Sequence, residues 1–180
     1  MHYATCARPR GFTLIEILVV LLIIGIMIAG AALTVGVAHG DRDLEQERDR
    51  LMAMSGYLRE QAALQNREYG IRVFQGGYEF LVFEPRSRRW QRDARDDTQR
   101  ARQLPAGIEL TMAVEGRKII LPAHEARPDE LTPQVLLYST GELNLFELTL
   151  RRGADGPGVR LAPSGSTDEI LVTNLATGAP

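Results

Sequence analysis

The sequence predicts an α+β protein. One long N-terminal helix, whose first half is apolar enough to span a bilayer, leads into a β-rich head of about eight strands. Three observations carry this expectation. From Ile17 to Ala38 no residue is ionisable, a run longer than the roughly 20 residues a helix needs to cross a membrane. No proline occurs between Pro9 and Pro85, so no ring interrupts helical hydrogen bonding over that distance. From Tyr69 onward, short apolar or alternating runs are separated by turn residues.

The N-terminal element comes first. In "RPRGFTLIEILVVLLIIGI", residues 8–26, a single carboxylate, Glu16, stands near the start of the apolar run. An isolated charge in hydrocarbon costs a few kcal/mol or more and usually marks a functional position. A secretory signal would carry a shorter apolar stretch of about 7–15 residues followed by a small-residue cleavage site, and "VAHGDRD" supplies a poor one. A plain membrane anchor leaves Glu16 and "RPRG" unexplained. Cleavage before the apolar run, after Gly11, accommodates both.

Apolar periodicity continues beyond the bilayer segment. Leu44, Leu51 and Leu58 recur every seven residues, with Met54 and Ala62 on the same side. The intervening "DRDLEQERDR" mixes acids and bases and reads as a solvated face. One helix from about Thr13 to Asn66 is therefore expected, roughly 80 Å long at 1.5 Å per residue. Gly30, Gly36 and Gly40 lie within it and weaken it by up to about 1 kcal/mol each.

The strand signals are "GIRVF", "YEFLVF", "IELTMAV", "KIILP", "VLLYSTG", "LNLFELTL", "VRLAP" and "EILVTN". Ile108, Leu110, Met112 and Val114 share one face. In "LNLFELTLR" the alternation changes phase at Phe146, which a bulge would explain. Two antiparallel sheets packed on the C-terminal half of the helix follow as the simplest architecture.

Composition excludes several functions. The formal net charge of −2 argues against a dedicated nucleic-acid binder. The one cysteine, Cys6, cannot form an intramolecular disulfide. Arg86, Arg88, Arg89, Arg92 and Arg95 surround Trp90, a grouping that can grip single strands. Asp93, Asp96 and Asp97 blunt that field, so the segment reads as a charged solvent loop with Trp90 beneath it. His124 and Glu125 lack the second histidine of a zinc helix, and His39 is isolated, so no metal site is assigned. No phosphate-binding loop or nucleophile elbow is present, so no catalytic residue, cofactor or enzymatic activity is expected.

The stretch "RGFTLIEILVVLLIIGI" resembles the class III signal of type IV pilins and of the pseudopilins of type II secretion systems. In that family a short basic leader ends in Gly and is followed by Phe, Thr, Leu, a branched residue, Glu and an apolar helix. Arg8, Arg10, Gly11, Phe12, Thr13, Leu14, Ile15 and Glu16 match in order. One departure is the absence of the proline that kinks the membrane half of many relatives. "STGELNLFELTL" is similar to a strand pattern of the H-class minor pseudopilins and their FimT-like relatives.

The resemblance implies a pilin-like fold and a set of roles. A membrane prepilin peptidase would cut after Gly11 and methylate the new amine of Phe12, while Arg8 and Arg10 keep the leader cytoplasmic. Glu16 would serve filament assembly by neutralising the Phe12 amine of its own chain or of a neighbour. The organisation would be a leader over 1–11, a transmembrane half-helix over 12–38, a periplasmic amphipathic half over 39–66 and a periplasmic head over 67–180. The chain would be a single-pass inner-membrane protein, a minor pseudopilin in the periplasmic pseudopilus that drives export of folded proteins. Its partners would be other minor pseudopilins, the major pseudopilin, the inner-membrane assembly platform, the prepilin peptidase and membrane lipid. The alternative is a FimT-like minor pilin of a type IV pilus with a DNA-binding role in uptake. The chain after Arg160 contains no basic residue, which argues against a nucleic-acid partner.

Overall fold

The computed structural model describes residues 13–92, 100–165 and 169–178, and of residues 29–41 the backbone. Arg8, Arg10, Gly11 and Phe12, and with them Arg95, Asp93, Asp96 and Asp97, lie outside the described residues. By contact density the chain divides into two units, Met1–His39 and Gly40–Pro180.

Among the described residues a single helix, α1, runs over Leu14–Gln65, in agreement with the proline-free stretch. Its C-terminal end closes on Asn66 at φ 50°, and the Arg67 N–H donates to the Ala62 carbonyl at 3.1 Å. This left-handed cap satisfies a carbonyl that the helix leaves without an internal partner. Among the described residues no helix is long and apolar enough to cross a membrane. Of the uncharged run 17–38, side chains are described only as far as Ile28.

Among the described residues, ten strands follow in the second unit. They are β1 (Tyr69–Phe74), β2 (Gly77–Glu84), β3 (Arg89–Gln91), β4 (Arg102–Gln103) and β5 (Ile108–Val114), then β6 (Arg117–Ile119), β7 (Val135–Leu137), β8 (Phe146–Arg152), β9 (Gly158–Pro163) and β10 (Ile170–Leu175). They form two antiparallel five-stranded sheets. Sheet 1 has the order β3-β2-β1-β7, with β4 also pairing β2, and sheet 2 has the order β10-β9-β8-β5-β6. The β5–β6 hairpin turns through Glu115 at φ 50° and Gly116 at φ 75°. Two positive φ values in a two-residue turn match the right-handed twist of the flanking strands.

Two of the ten strands were not expected from the sequence. β3 arises inside the arginine-rich segment, where Trp90 lies opposite Phe83 in the ladder and its ring packs 5.3 Å from that of Phe83. The aromatic pair thus draws a segment expected as loop onto the edge of sheet 1. β4 is only two residues long and rests on β2 at Gly77, where a Cβ would stand 1.9 Å from the Arg102 carbonyl oxygen. A glycine is required for that approach.

The phase change at Phe146 is not a bulge. Leu143 bridges Leu137 of sheet 1, Leu145 is exposed, and β8 of sheet 2 begins at Phe146. The alternation changes because the chain crosses from one sheet to the other. Asn144 sits at the crossing. Its side chain accepts from the Leu136 N–H at 2.8 Å and donates to the Gln134 carbonyl at 2.9 Å, closing the free edge of β7. Asn144→Ala strands both backbone groups and is expected to cost about 1–3 kcal/mol in urea unfolding.

The core joins all three layers. Leu44, Leu51, Leu58 and Ala62 of α1 pack in one cluster with Ile71, Val73, Tyr78 and Phe80 of sheet 1 and Leu110, Met112, Leu148 and Leu150 of sheet 2. β5 alternates buried and exposed residues, as its sequence predicts. β1 is buried along its whole length. Its second face, with Arg72 and Phe74 beside Glu79 and Leu81 of β2, lies under the segment 120–134. There the Gln75 N–H donates to the Pro122 carbonyl at 2.9 Å, and Arg72 donates to the His124 carbonyl at 3.3 Å.

Candidate assembly site

The first turn of α1 is built from Thr13 and Glu16. The Thr13 hydroxyl accepts from the Glu16 N–H at 3.3 Å, and the Thr13 carbonyl accepts from the Ile17 N–H at 3.3 Å. Thr13 is therefore the N-cap, and Glu16 occupies the third helical position of a Thr-x-x-Glu capping pattern. The family-like order of Thr and Glu thus has a local physical reason beyond the resemblance. A carboxylate there faces the partly positive helix end, a favourable placement for its charge.

Every side chain from Thr13 to Ile28 is exposed, including Leu14 at 80% and Ile28 at 64%. A helix apolar on all sides has no partner face of its own and is stable only in lipid or among other apolar helices. Glu16 makes no ion pair among the described residues. Its expected counter-charge, the Phe12 amine, lies outside them.

Among its described residues the second unit contains two buried carboxylates that sequence reasoning missed. Glu47, assigned to a solvated face, is 1% exposed. It accepts from the Tyr78 hydroxyl at 3.0 Å and from Arg102 Nε at 3.0 Å, with a further short contact from Arg102 Nη2. Its spacing explains the burial, because it lies three residues after Leu44 and four before Leu51, on the leucine face. Glu79 is 0% exposed and is held by Arg72 at 3.1 Å and Arg92 at 2.7 Å. Arg92 also reaches Glu125 at 3.2 Å and donates to the Ala126 carbonyl at 2.9 Å. The arginine cluster and the "HEARP" stretch thereby meet at one buried ion-pair network. Arg86, Arg88 and Arg89 stay exposed on the edge of sheet 1.

Burial, then the Glu47 charge and the hydrogen bond to it, push the Tyr78 phenol well above its ordinary value of 10.0. Below that value folded and unfolded chains hold the same proton. Above it the unfolded chain releases the proton first, so the head loses stability as pH rises past 10.0 towards the folded value. Alkaline titration followed by tyrosinate absorbance is expected to give identical curves for the wild type and Tyr78→Phe until unfolding begins.

These clusters fasten α1, β4 and the segment 120–134 to sheet 1, and their acids are spent on arginines. Among the described residues no group of three or more His, Cys, Asp or Glu is placed to hold a metal ion.

Comparison with known proteins gives a consistent family. The prokaryotic N-terminal methylation motif matches residues 6–32. Type II secretion system protein H of Pseudomonas aeruginosa is 37% identical over 161 residues, covering 87% of this chain and 91% of that protein. The protein of the same name from Aeromonas hydrophila is 33% identical over 148 residues, covering 79% of this chain and 81% of the relative. Among solved structures, the minor pseudopilin EpsH of the Vibrio cholerae type 2 secretion system superposes with a TM-score of 0.57 at 19% identity. That match spans 76% of this chain and 97% of EpsH, and shows the shared fold. By sequence and by fold, the chain belongs to the type II secretion system protein H family, the H-class minor pseudopilins that "STGELNLFELTL" resembles.

Proposed function

We propose that the chain is a structural subunit of the periplasmic pseudopilus through which a type II secretion system exports folded proteins. Its leader, residues 1–11, is removed after Gly11 by a prepilin peptidase, with Arg8 and Arg10 on the cytoplasmic side, and the Phe12 amine is methylated. Residues 12–38 anchor the chain in the inner membrane; 39–66 continue the helix into the periplasm, where 67–180 form the head. It assembles with other minor pseudopilins, the major pseudopilin and the inner-membrane platform.

The observation that supports this reading is Glu16 in the first turn of a helix apolar on every side. Four residues before it, cleavage would create a positive amine. Pairing the two charges removes the penalty of carrying either one alone into apolar surroundings. A pilus function finds less support, because the curated relatives carry the name of secretion.

Glu16→Gln tests the reading at one residue. Cleavage at Gly11 should persist by N-terminal sequencing, while co-purification with partner pseudopilins falls at least about tenfold. Normal co-purification would refute the assembly role. Deletion of the whole chain should leave exoproteins in the periplasm, and normal secretion with loss of twitching would overturn the functional reading.

A further inference from the structure

The outer face of sheet 2 carries a cluster of charged side chains, in which Arg160 pairs with Glu147 and Arg151 donates to the Gly156 carbonyl at 2.9 Å. Alternate residues of β5 and β8 point into the core, and Thr111 and Thr149 face outward opposite each other in the ladder. With Lys118, Arg151, Arg160 and Glu147 they line a shallow groove of about 310 Å³. We propose that this groove docks an extended acidic segment of a neighbouring pseudopilin. The proposal rests on the assembly reading above.

Charge complementarity names the occupant. The whole chain has a formal net charge of −2, yet the described lining of this groove holds three cations and one carboxylate, with Glu109 across the ladder from Arg151. Arg160 Nη1 meets Glu147 at 3.2 Å and satisfies that carboxylate. Arg160 Nε is buried and has no acceptor among the described residues. Lys118 forms no ion pair among them either. A lysine ammonium without a counter-ion is a ready partner for an incoming carboxylate. The paired threonine hydroxyls offer further hydrogen bonds along the floor. Leu171, 54% exposed on the edge strand β10, adds an apolar contact beyond the charged centre. A single-stranded nucleic acid fits poorly, because the described lining has no aromatic side chain for stacking.

The test uses the full chain in cells that carry the complete secretion system. A photo-crosslinking residue is placed at Thr149, and a control is placed at Ile24 in the apolar helix. The expected result is a Thr149 adduct with another pseudopilin, mapped by mass spectrometry to a segment within a few residues of Asp or Glu. Lys118→Glu and Arg160→Glu should each lower its yield about fivefold, while Lys118→Arg retains it. Lys118 has no ion pair to lose, so its variant reports on docking rather than folding. The proposal is overturned if Ile24 captures a pseudopilin and Thr149 does not. An adduct with a neutral or basic segment, with nucleic acid or with lipid also overturns it, as does a yield unchanged by both reversals. If neither position captures a pseudopilin, the assembly reading falls and this one falls with it.

Discussion

Glu79→Ala should destabilise the head by about 3–5 kcal/mol, the largest loss expected from any single charge in the chain. The reason is what it leaves behind. The Arg72 side chain is 6% exposed and has Glu79 as its ionic partner in the fold. Without that carboxylate its guanidinium faces the Phe74 ring at 5.9 Å and a single carbonyl, that of His124. Arg92 is 31% exposed and already reaches Glu125, so it adjusts at small cost. Urea unfolding of the purified full chain, followed by circular dichroism, measures the loss. Amide exchange should rise first in residues 120–134, which both arginines hold through carbonyl contacts. Replacing Arg72 and Glu79 together by apolar residues should recover most of the stability, since no buried charge then remains unpaired. A loss below about 1 kcal/mol for Glu79→Ala would show that water reaches Arg72.

Leu58→Ala should cost about 2–5 kcal/mol. Leu58 is 0% exposed, and its cluster includes residues of α1 and of both sheets. The fixed backbones around it cannot collapse into the vacated space, which places the effect in the upper half of the range. Leu64→Ala is the control on the same helix. Leu64 is 73% exposed, and its truncation should change stability by less than about 0.5 kcal/mol. Equal losses in the two variants would mean that helix propensity rather than packing dominates.

Much of this architecture is legible in residue order because local rules suffice for it. Leu44, Leu51 and Leu58 report a helix face by spacing alone, and the Ile108–Val114 alternation reports one buried side of a strand. Thr13 and Glu16 announce a helix start at the distance of one turn. The buried acids needed more than local rules. Glu47 shares the leucine face, a signal that was present, but neighbouring charges in "DRDLEQERDR" masked it. Its partners Tyr78 and Arg102 lie 31 and 55 residues away, and no spacing rule connects them. Glu79 lies in a strand buried on both faces, so alternation could not assign it a side. The crossing at Asn144 was visible as a change of phase but not as a change of sheet, because the second sheet exists only in three dimensions.

The leucine face of α1 also has a mechanical meaning. Leu44, Leu51, Leu58 and Ala62 are all embedded in one core, and Glu47 is clamped among them by Arg102. A load applied along this part of the helix meets those contacts side by side, so they resist shear together. A strand peeled from a sheet edge gives way one rung at a time. A helix fastened in this manner takes up an axial load over its whole contact length without parting from the sheets.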